Sequence, residues 1–238
     1  MESFYDKAVK YGKRKNSRLI LALDLFYETG SCDETLRKIV DILEKLSEYA
    51  AGIKLGLPTI LTLQRDVLKE VIDKFRKEFF FVADMKIADI GYVSKILVKI
   101  ASAMGFDAVI SHAIVGYDAL EEIVDEAKKH NMGVLTVCAM SHKGAEETIN
   151  TLFRRNLEIS AKAEVDGFIL PATMPKYIEE ARKIFKSYLV FSPGVGVQGA
   201  PPGSAIRVGA DFEIVGRAIY MSENPLEAAR KIVEKLRW

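Results

Sequence analysis

Eight short, nearly continuous apolar runs recur along the chain, and they restrict its fold more than any other feature. They are RLILALD (18–24), AAGIKLG (50–56), FFFVADMKI (79–87), DAVISH (107–112), GVLTVCAM (133–140), DGFILP (166–171), YLVFSP (188–193) and FEIVGR (212–217). None alternates apolar with polar residues, which is how strands covered on both faces by crossover helices read. Segments of helical period separate them. Leu36, Ile39, Val40, Leu43 and Leu46 fall at i, i+3, i+4 spacing behind a candidate cap at Ser31 or Asp33. DALEEIVDEAKKH opens on a cap-like Asp118 and closes on basic residues, the charge order that a helix dipole favours. NPLEAARKIVEKL has Asn224 as a cap and Pro225 at the first helical position. Eight such units predict an α/β fold, a single-domain (β/α)8 TIM barrel. An open doubly wound sheet is the alternative, but no Gly-x-Gly-x-x-Gly follows the first strand to support it.

Composition narrows the class of function. With 34 Lys+Arg against 33 Asp+Glu in 238 residues, nothing marks a general nucleic-acid or membrane-surface binder. Cys32 and Cys138 lie far apart and in no Cys/His cluster, so free thiols in a reducing compartment are expected and a structural zinc site is not. No apolar run approaches the ~18 residues that span a bilayer. The first residues carry no apolar core with a small-residue cleavage site, which predicts a cytoplasmic protein. Residues 1–17 are expected as a helical extension packed on a barrel formed by 18–238. The basic stretch from Lys7 to Arg18 reads as a solvated helix face, with contact to an acidic partner as the alternative.

Barrels of this kind place their chemistry at the C-terminal ends of the strands. Those ends carry Asp24, Lys54, Asp84 with Lys86, His112, Met140 with Ser141, Pro171, Pro193, and Gly216 with Arg217. A single Asp24 could cap a helix and a single Lys54 could snorkel to solvent. Ionisable groups recurring along one rim mark an active site instead. Residues i and i+2 of a strand share a face, so Asp84 and Lys86 are expected to point together into the barrel mouth. Asp89 lies beyond the strand end, within reach of the rim or of a neighbouring subunit. Lysines 54 and 86 alternating with aspartates can all stay ionised, because each charge has an opposite neighbour. A purely structural ion-pair network is the competing reading, but buried networks are weak sources of stability.

Two glycine-bearing loops follow the seventh and eighth runs, SPGVGVQG (192–199) and VGRA (215–218). Phosphate sites in such barrels are commonly built from these two loops, by backbone N–H groups and a helix N-terminus. Arg217 adds a bidentate fork and Gly216 an unobstructed amide, which points to a phosphorylated small molecule. After the fifth run, AMSHKGAEE (139–147) is expected to open a helix. Ser141 there can donate and accept, as reading a base edge requires. His142 is either a catalytic base or a surface loop histidine, and His112 reads as a hydrogen-bonded rim residue rather than a metal ligand.

Together these residues resemble the orotidine 5′-phosphate decarboxylase family. The resemblance rests on LALD with Asp24, GIKLG with Lys54, DMKIADI with Asp84, Lys86, Asp89 and Ile90, and MSHKGAEE with Met140 and Ser141. It extends through SPGVGVQG with Pro193 and Gln198 and IVGRAIY with Gly216 and Arg217, from about Arg18 to the C-terminal helix. It implies a homodimeric barrel, without metal or organic cofactor, that converts orotidine 5′-monophosphate to uridine 5′-monophosphate and CO2 as the last step of de novo pyrimidine synthesis. By the same resemblance Lys86 protonates C6, Asp84 faces the substrate carboxylate, and Lys54 and Asp24 hold the ribose hydroxyls and the charge network. Ser141 reads the pyrimidine edge, Gln198 bridges base and phosphate, and Gly216 and Arg217 hold the phosphate. Asp89, with Ile90, reaches the partner's site.

Two departures stand out. The family often continues after this motif with Pro and then Thr. Here GYVSK brings Gly91 and Val93, so a cross-subunit hydroxyl is absent or comes from Ser94. Lys143 stands where Pro commonly follows MSH. Two alternatives compete. A sugar-phosphate decarboxylase or aldolase would share the framework but use Mg2+, which Lys54 opposes. A nucleotide-binding barrel without catalysis would have little use for an Asp beside a substrate carboxylate.

Overall fold

Each apolar run forms one strand of the computed structural model, which describes residues 2–25 and 32–238. The strands are β1 (Leu19–Leu23), β2 (Gly52–Gly56), β3 (Phe80–Ile87), β4 (Ala108–His112), β5 (Gly133–Val137), β6 (Gly167–Ile169), β7 (Leu189–Pro193) and β8 (Phe212–Val215). They pair in parallel in chain order and β8 closes on β1, so the fold is the (β/α)8 barrel that the runs predict. Helix α1 (Phe4–Lys15) precedes the barrel. Then α2 (Cys32–Lys45) follows β1, α3 (Leu57–Thr62) and α4 (Arg65–Phe75) follow β2, α5 (Gly91–Ala103) follows β3, and α6 (Tyr117–Lys129) follows β4. After β5 to β8 come α7 (Phe153–Lys162), α8 (Pro175–Ile184), α9 (Ser204–Arg207), and the pair α10 (Arg217–Tyr220) and α11 (Pro225–Val233).

Helix starts follow local geometry more than residue type. Asn224 caps α11, accepting the Glu227 N–H, and Pro225 takes the first position. Asp118 does not cap α6: a 3-10 turn at Ala113–Val115 delivers the chain to Gly116 at φ 90°, which becomes the cap and leaves Asp118 in the first turn. Asp33 likewise lies inside the first turn of α2, while Ser31 falls outside the described residues. AMSHKGAEE leads not into an α-helix but into 3-10 turns at Lys143–Glu147 and Ile149–Leu152, and α7 begins only at Phe153.

Alternation along the strands sorts the apolar residues into two cores. Leu19, Leu21 and Leu23 of β1 and Phe79, Phe81 and Ala83 of the β3 run face the helices, against Ile39, Leu43 and Val98 among others. Ile20, Ala22, Phe80, Val82, Ile110, Val137, Ile169, Phe191, Phe212 and Ile214 fill the barrel. Its floor is aromatic. Phe191 stacks on Phe212 at 4.9 Å between ring centroids, and Phe4 of α1 meets Phe80 edge-on at 5.6 Å. Glycine makes the room: a Cβ at Gly52 would enter the Phe80 ring, and one at Gly133 the Phe4 ring.

The basic stretch of α1 docks rather than faces solvent as a whole. Lys7 Nζ bonds Asp107 at 2.7 Å, Arg14 Nη2 donates to Lys77 O at 2.8 Å, Lys15 Nζ donates to Ala50 O at 2.8 Å, and Arg18 stacks 4.6 Å over Trp238. Arg14 and Lys15 thereby satisfy backbone carbonyls in the connections after α4 and α2. A repeat runs along the same edge. Asp107, Asp166 and Asp211, each just before a strand, accept the amides of Phe81, Val134 and Val190 of the preceding one at 2.8 Å. With the floor sealed by aromatics and carboxylate caps, the open end is the mouth.

Candidate active site

On three strands the inward row rises from an apolar layer to the rim: Ile20, Ala22 and Asp24 on the first, Phe80, Val82 and Asp84 on the third, and Phe212, Ile214 and Gly216 on the last. On β2 the row is Gly52, Lys54, Gly56, with Lys54 mid-strand between Ala22 and Val82. Its ammonium must climb to reach an acid, and the missing side chain at Gly56 clears the way. A Cβ there would collide with Asp24 Oδ1 and come within 3.4 Å of Lys54 Nζ.

Four charges then form one unbroken chain. Lys54 Nζ lies 3.1 and 3.3 Å from the Asp24 oxygens and 2.8 Å from Asp84 Oδ2. Lys86 Nζ lies 2.7 and 2.9 Å from the two oxygens of Asp84. Burial opposes charge on Lys54, but the Asp84 and Asp24 carboxylates outweigh it and raise its pKa. Burial likewise works against the Asp84 carboxylate, and the Lys54 and Lys86 ammonium groups overcome it and hold its pKa below the ordinary range. Both inner members are nearly sealed, with side chains 8% and 7% exposed, whereas those of Asp24 and Lys86 are 41% and 42% exposed and open to a ligand. The unit is neutral overall, buried at its centre and exposed at its ends.

Asp84 and Lys86 do point together, but not through a regular pleat. Lys86 has φ 45°, in the left-handed region, and pairing with β4 slips there: Ala83 faces Val109 and Ile87 faces Ser111. The bulge folds the Lys86 side chain back over Asp84. Ser111 Oγ donates to Ile87 O at 2.9 Å and fixes the strand just beyond it.

A cavity of about 510 Å³ opens above this chain of charges. Asp24, Lys54, Asp84, Lys86, Met140, Ser141, Pro171, Pro193, Gln198, Gly216 and Arg217 all line it. Ser141 Oγ and Gln198 Oε1 meet across it at 3.5 Å. Gly194, Gly196 and Gly199 hold φ values of 106°, 83° and 107°, which only glycine adopts without strain, so their loop curls into the mouth. Gly196 packs against Ala218, bringing the two glycine loops into direct contact. The first amides bonded within α10 are those of Ile219 and Tyr220, to Gly216 O, so those of Arg217 and Ala218 precede the helix's internal bonds.

Other expected residues fall elsewhere. Asp89 and Ile90 stand exposed on the rim, outside this cavity lining, with the Asp89 carboxylate accepting the Ile90 amide at 2.7 Å. Ser94 is fully buried and its Oγ donates to Asp89 O at 2.9 Å, so it presents no free hydroxyl at the rim. Gly91 suits its place, since a Cβ would strike the Glu122 carboxylate, which pairs with Lys95. His142 is exposed and outside the lining. His112 is half-buried beside Lys86, and desolvation followed by that ammonium lowers its pKa.

Sequence reasoning passed over several contributors. Thr59 of α3 accepts the Leu25 amide at 2.8 Å and donates to Leu23 O at 2.9 Å, gripping the backbone on both sides of Asp24. Tyr220 lines the cavity near Asp24, and burial and that carboxylate raise its phenol pKa. Among the described residues no cluster of three or more His, Cys, Asp or Glu is placed to hold a metal ion. Both acids of the mouth are already bonded to ammonium groups.

The orotidine 5′-phosphate decarboxylase / HUMPS family model matches residues 17–232. The chain belongs to this family. Orotidine 5′-phosphate decarboxylase of Methanosarcina mazei is 35% identical over 223 residues, 93% of this chain and 96% of that protein. The Pyrococcus abyssi decarboxylase is 34% identical over 220 residues, covering 92% and 99%. The crystal structure of orotidine 5′-monophosphate decarboxylase from Methanocaldococcus jannaschii, complexed with inhibitor BMP, superposes with a TM-score of 0.82 at 33% identity, covering 92% of this chain and 98% of that one. No helix among the described residues is long and apolar enough to cross a membrane.

Proposed function

We propose that this chain decarboxylates orotidine 5′-monophosphate to uridine 5′-monophosphate and CO2, closing de novo pyrimidine synthesis in the cytoplasm. The observation that carries the reading is the Asp24–Lys54–Asp84–Lys86 chain under a cavity walled by two glycine loops. Breaking the C6–carboxylate bond leaves an electron pair on a ring carbon that the pyrimidine does not delocalise as an ordinary enolate. The Lys86 ammonium stands where that charge grows and gives C6 a proton, leaving a neutral amine that solvent reprotonates. Because Asp84 and the left-handed backbone fix Lys86 beforehand, little reorganisation is needed during the reaction. Asp84 faces the departing carboxylate, and Lys54 keeps Asp84 ionised.

In this reading Asp24 and Lys54 hold the ribose hydroxyls, and Ser141 reads the pyrimidine edge between Met140 and Pro193. Gln198 bridges base and phosphate, and Arg217 with the Gly216 amide grips the phosphate. Binding energy from that remote phosphate supports chemistry at C6. The active form is a homodimer in which Asp89 and Ile90 enter the partner's site. Residues 18–238 make the catalytic barrel and 1–17 its appended floor helix. No metal or organic cofactor takes part: a divalent ion at the two carboxylates would have to displace Lys54. Incubation with orotidine 5′-monophosphate should yield uridine 5′-monophosphate at the same rate with and without EDTA. Strict Mg2+ dependence, or action only on a sugar phosphate, contradicts the proposal.

A further inference from the structure

Cys138 still bonds β6, its amide donating to Ile169 O at 3.3 Å; beyond it the chain leaves the sheet, yet it carries Met140 and Ser141 into the cavity wall. A segment without a strand partner must satisfy its backbone groups by other means. Here two asparagines do so. Asn156, fully buried on α7, donates to Cys138 O at 3.2 Å and to Ile149 O at 3.1 Å. Asn150, only 6% exposed in the 3-10 turn, takes the Met140 amide on its Oδ1 at 2.9 Å and returns its Nδ2 to Met140 O at 3.0 Å. One carboxamide thereby holds both polar groups of one residue, as a neighbouring strand would. The same Nδ2 also reaches Glu146 Oε1 at 2.9 Å, which anchors the amide from behind.

The Met140 carbonyl belongs to the peptide plane whose N–H is that of Ser141. Fixing that carbonyl therefore fixes the plane from which the Ser141 side chain leaves, and with it the hydroxyl that meets Gln198 at 3.5 Å. Lys86 and Asp84 both lie on β3 and share no hydrogen bond with Asn150. We infer that Asn150 is a positioning residue for recognition of the pyrimidine edge, acting through Ser141 rather than on proton transfer; this rests on the function proposed above.

The two roles separate in a double-mutant cycle on the full chain. In Asn150→Ala, KM for orotidine 5′-monophosphate rises about tenfold or more while kcat falls by less, the scale expected when buried partners are left unpaired. Binding of uridine 5′-monophosphate weakens in parallel, and binding of ribose 5-phosphate, which has no base, changes less than about twofold. Asn150→Asp keeps the shape and the acceptor for the Met140 amide but loses the donor, and it shifts KM in the same direction if the alanine variant does not fold. In a Ser141→Ala background, replacing Asn150 adds little further loss, because coupled residues are not additive. Additive losses, or equal weakening of both ligands, overturn the role of Asn150 while leaving the decarboxylase reading intact. A wild-type chain that turns over no orotidine 5′-monophosphate overturns that reading and this inference with it.

Discussion

At φ 45° the backbone of Lys86 lies where a Cβ is disfavoured by about 1–2 kcal/mol. The surrounding bulge maintains it, since both Asp84 oxygens and the Ser111 bond to Ile87 depend on that turn. Strain of this kind gathers where a side chain must be aimed. Lys86→Gly should thus melt higher than Lys86→Ala by the equivalent of about 1 kcal/mol, with turnover lost in both. Equal melting temperatures would contradict the strain account. The charged members of the site were legible in the sequence because ionisable groups at the ends of buried strands have no bland explanation in such numbers. Gly56, Thr59 and Asn150 were not. Gly56 contributes only empty space, and the other two grip backbone across distant segments, so neither task leaves a local signature in residue type.

Elements carry the end of the cavity proposed to hold the phosphate. The loop after β7 and the start of α10 are joined where Gly196 touches Ala218, and a Cβ at Gly196 would come within 2.7 Å of the Ala218 Cβ. Gly196 also needs its φ of 83°. Gly196→Ala should therefore part the two loops and raise KM by about tenfold or more, with kcat less affected, because uniform binding is what is lost. An unchanged KM would remove the loops from phosphate binding. The eight strands were readable because both faces of each are covered, which leaves long apolar runs that no loop imitates. The segment after β5 opens in 3-10 turns instead of the α-helix that its residue types suggest. Its acidic residues suit a first turn, yet the asparagine clamps hold it in 3-10 turns first. The helix start at Gly116 likewise depends on how a turn delivers the chain, which residue type at Asp118 does not encode.

Across the whole molecule, stability and chemistry occupy opposite ends of the barrel. Aromatics, α1 and the three aspartate caps close the floor, while the mouth holds buried charge, which is a weak source of stability. Asp89, Ile90 and Tyr92 remain exposed beside that mouth, consistent with a site completed by a second copy of the chain. Mixing two inactive variants, Asp89→Ala and Lys86→Ala, should restore roughly a quarter of wild-type activity in randomly assorted dimers, since half are hybrids and each hybrid has one intact site. No recovery on mixing would confine Asp89 to its own subunit. The central claim is that Lys86, held against Asp84, supplies the proton to C6. It is tested most directly by following the fall in absorbance as orotidine 5′-monophosphate is consumed by wild type and by Lys86→Ala at matched folded concentration. Wild type should turn over steadily, and the variant should lose at least about a thousandfold. Lys86→Ala retaining most of the wild-type rate, or a wild type that leaves the absorbance unchanged, would contradict it.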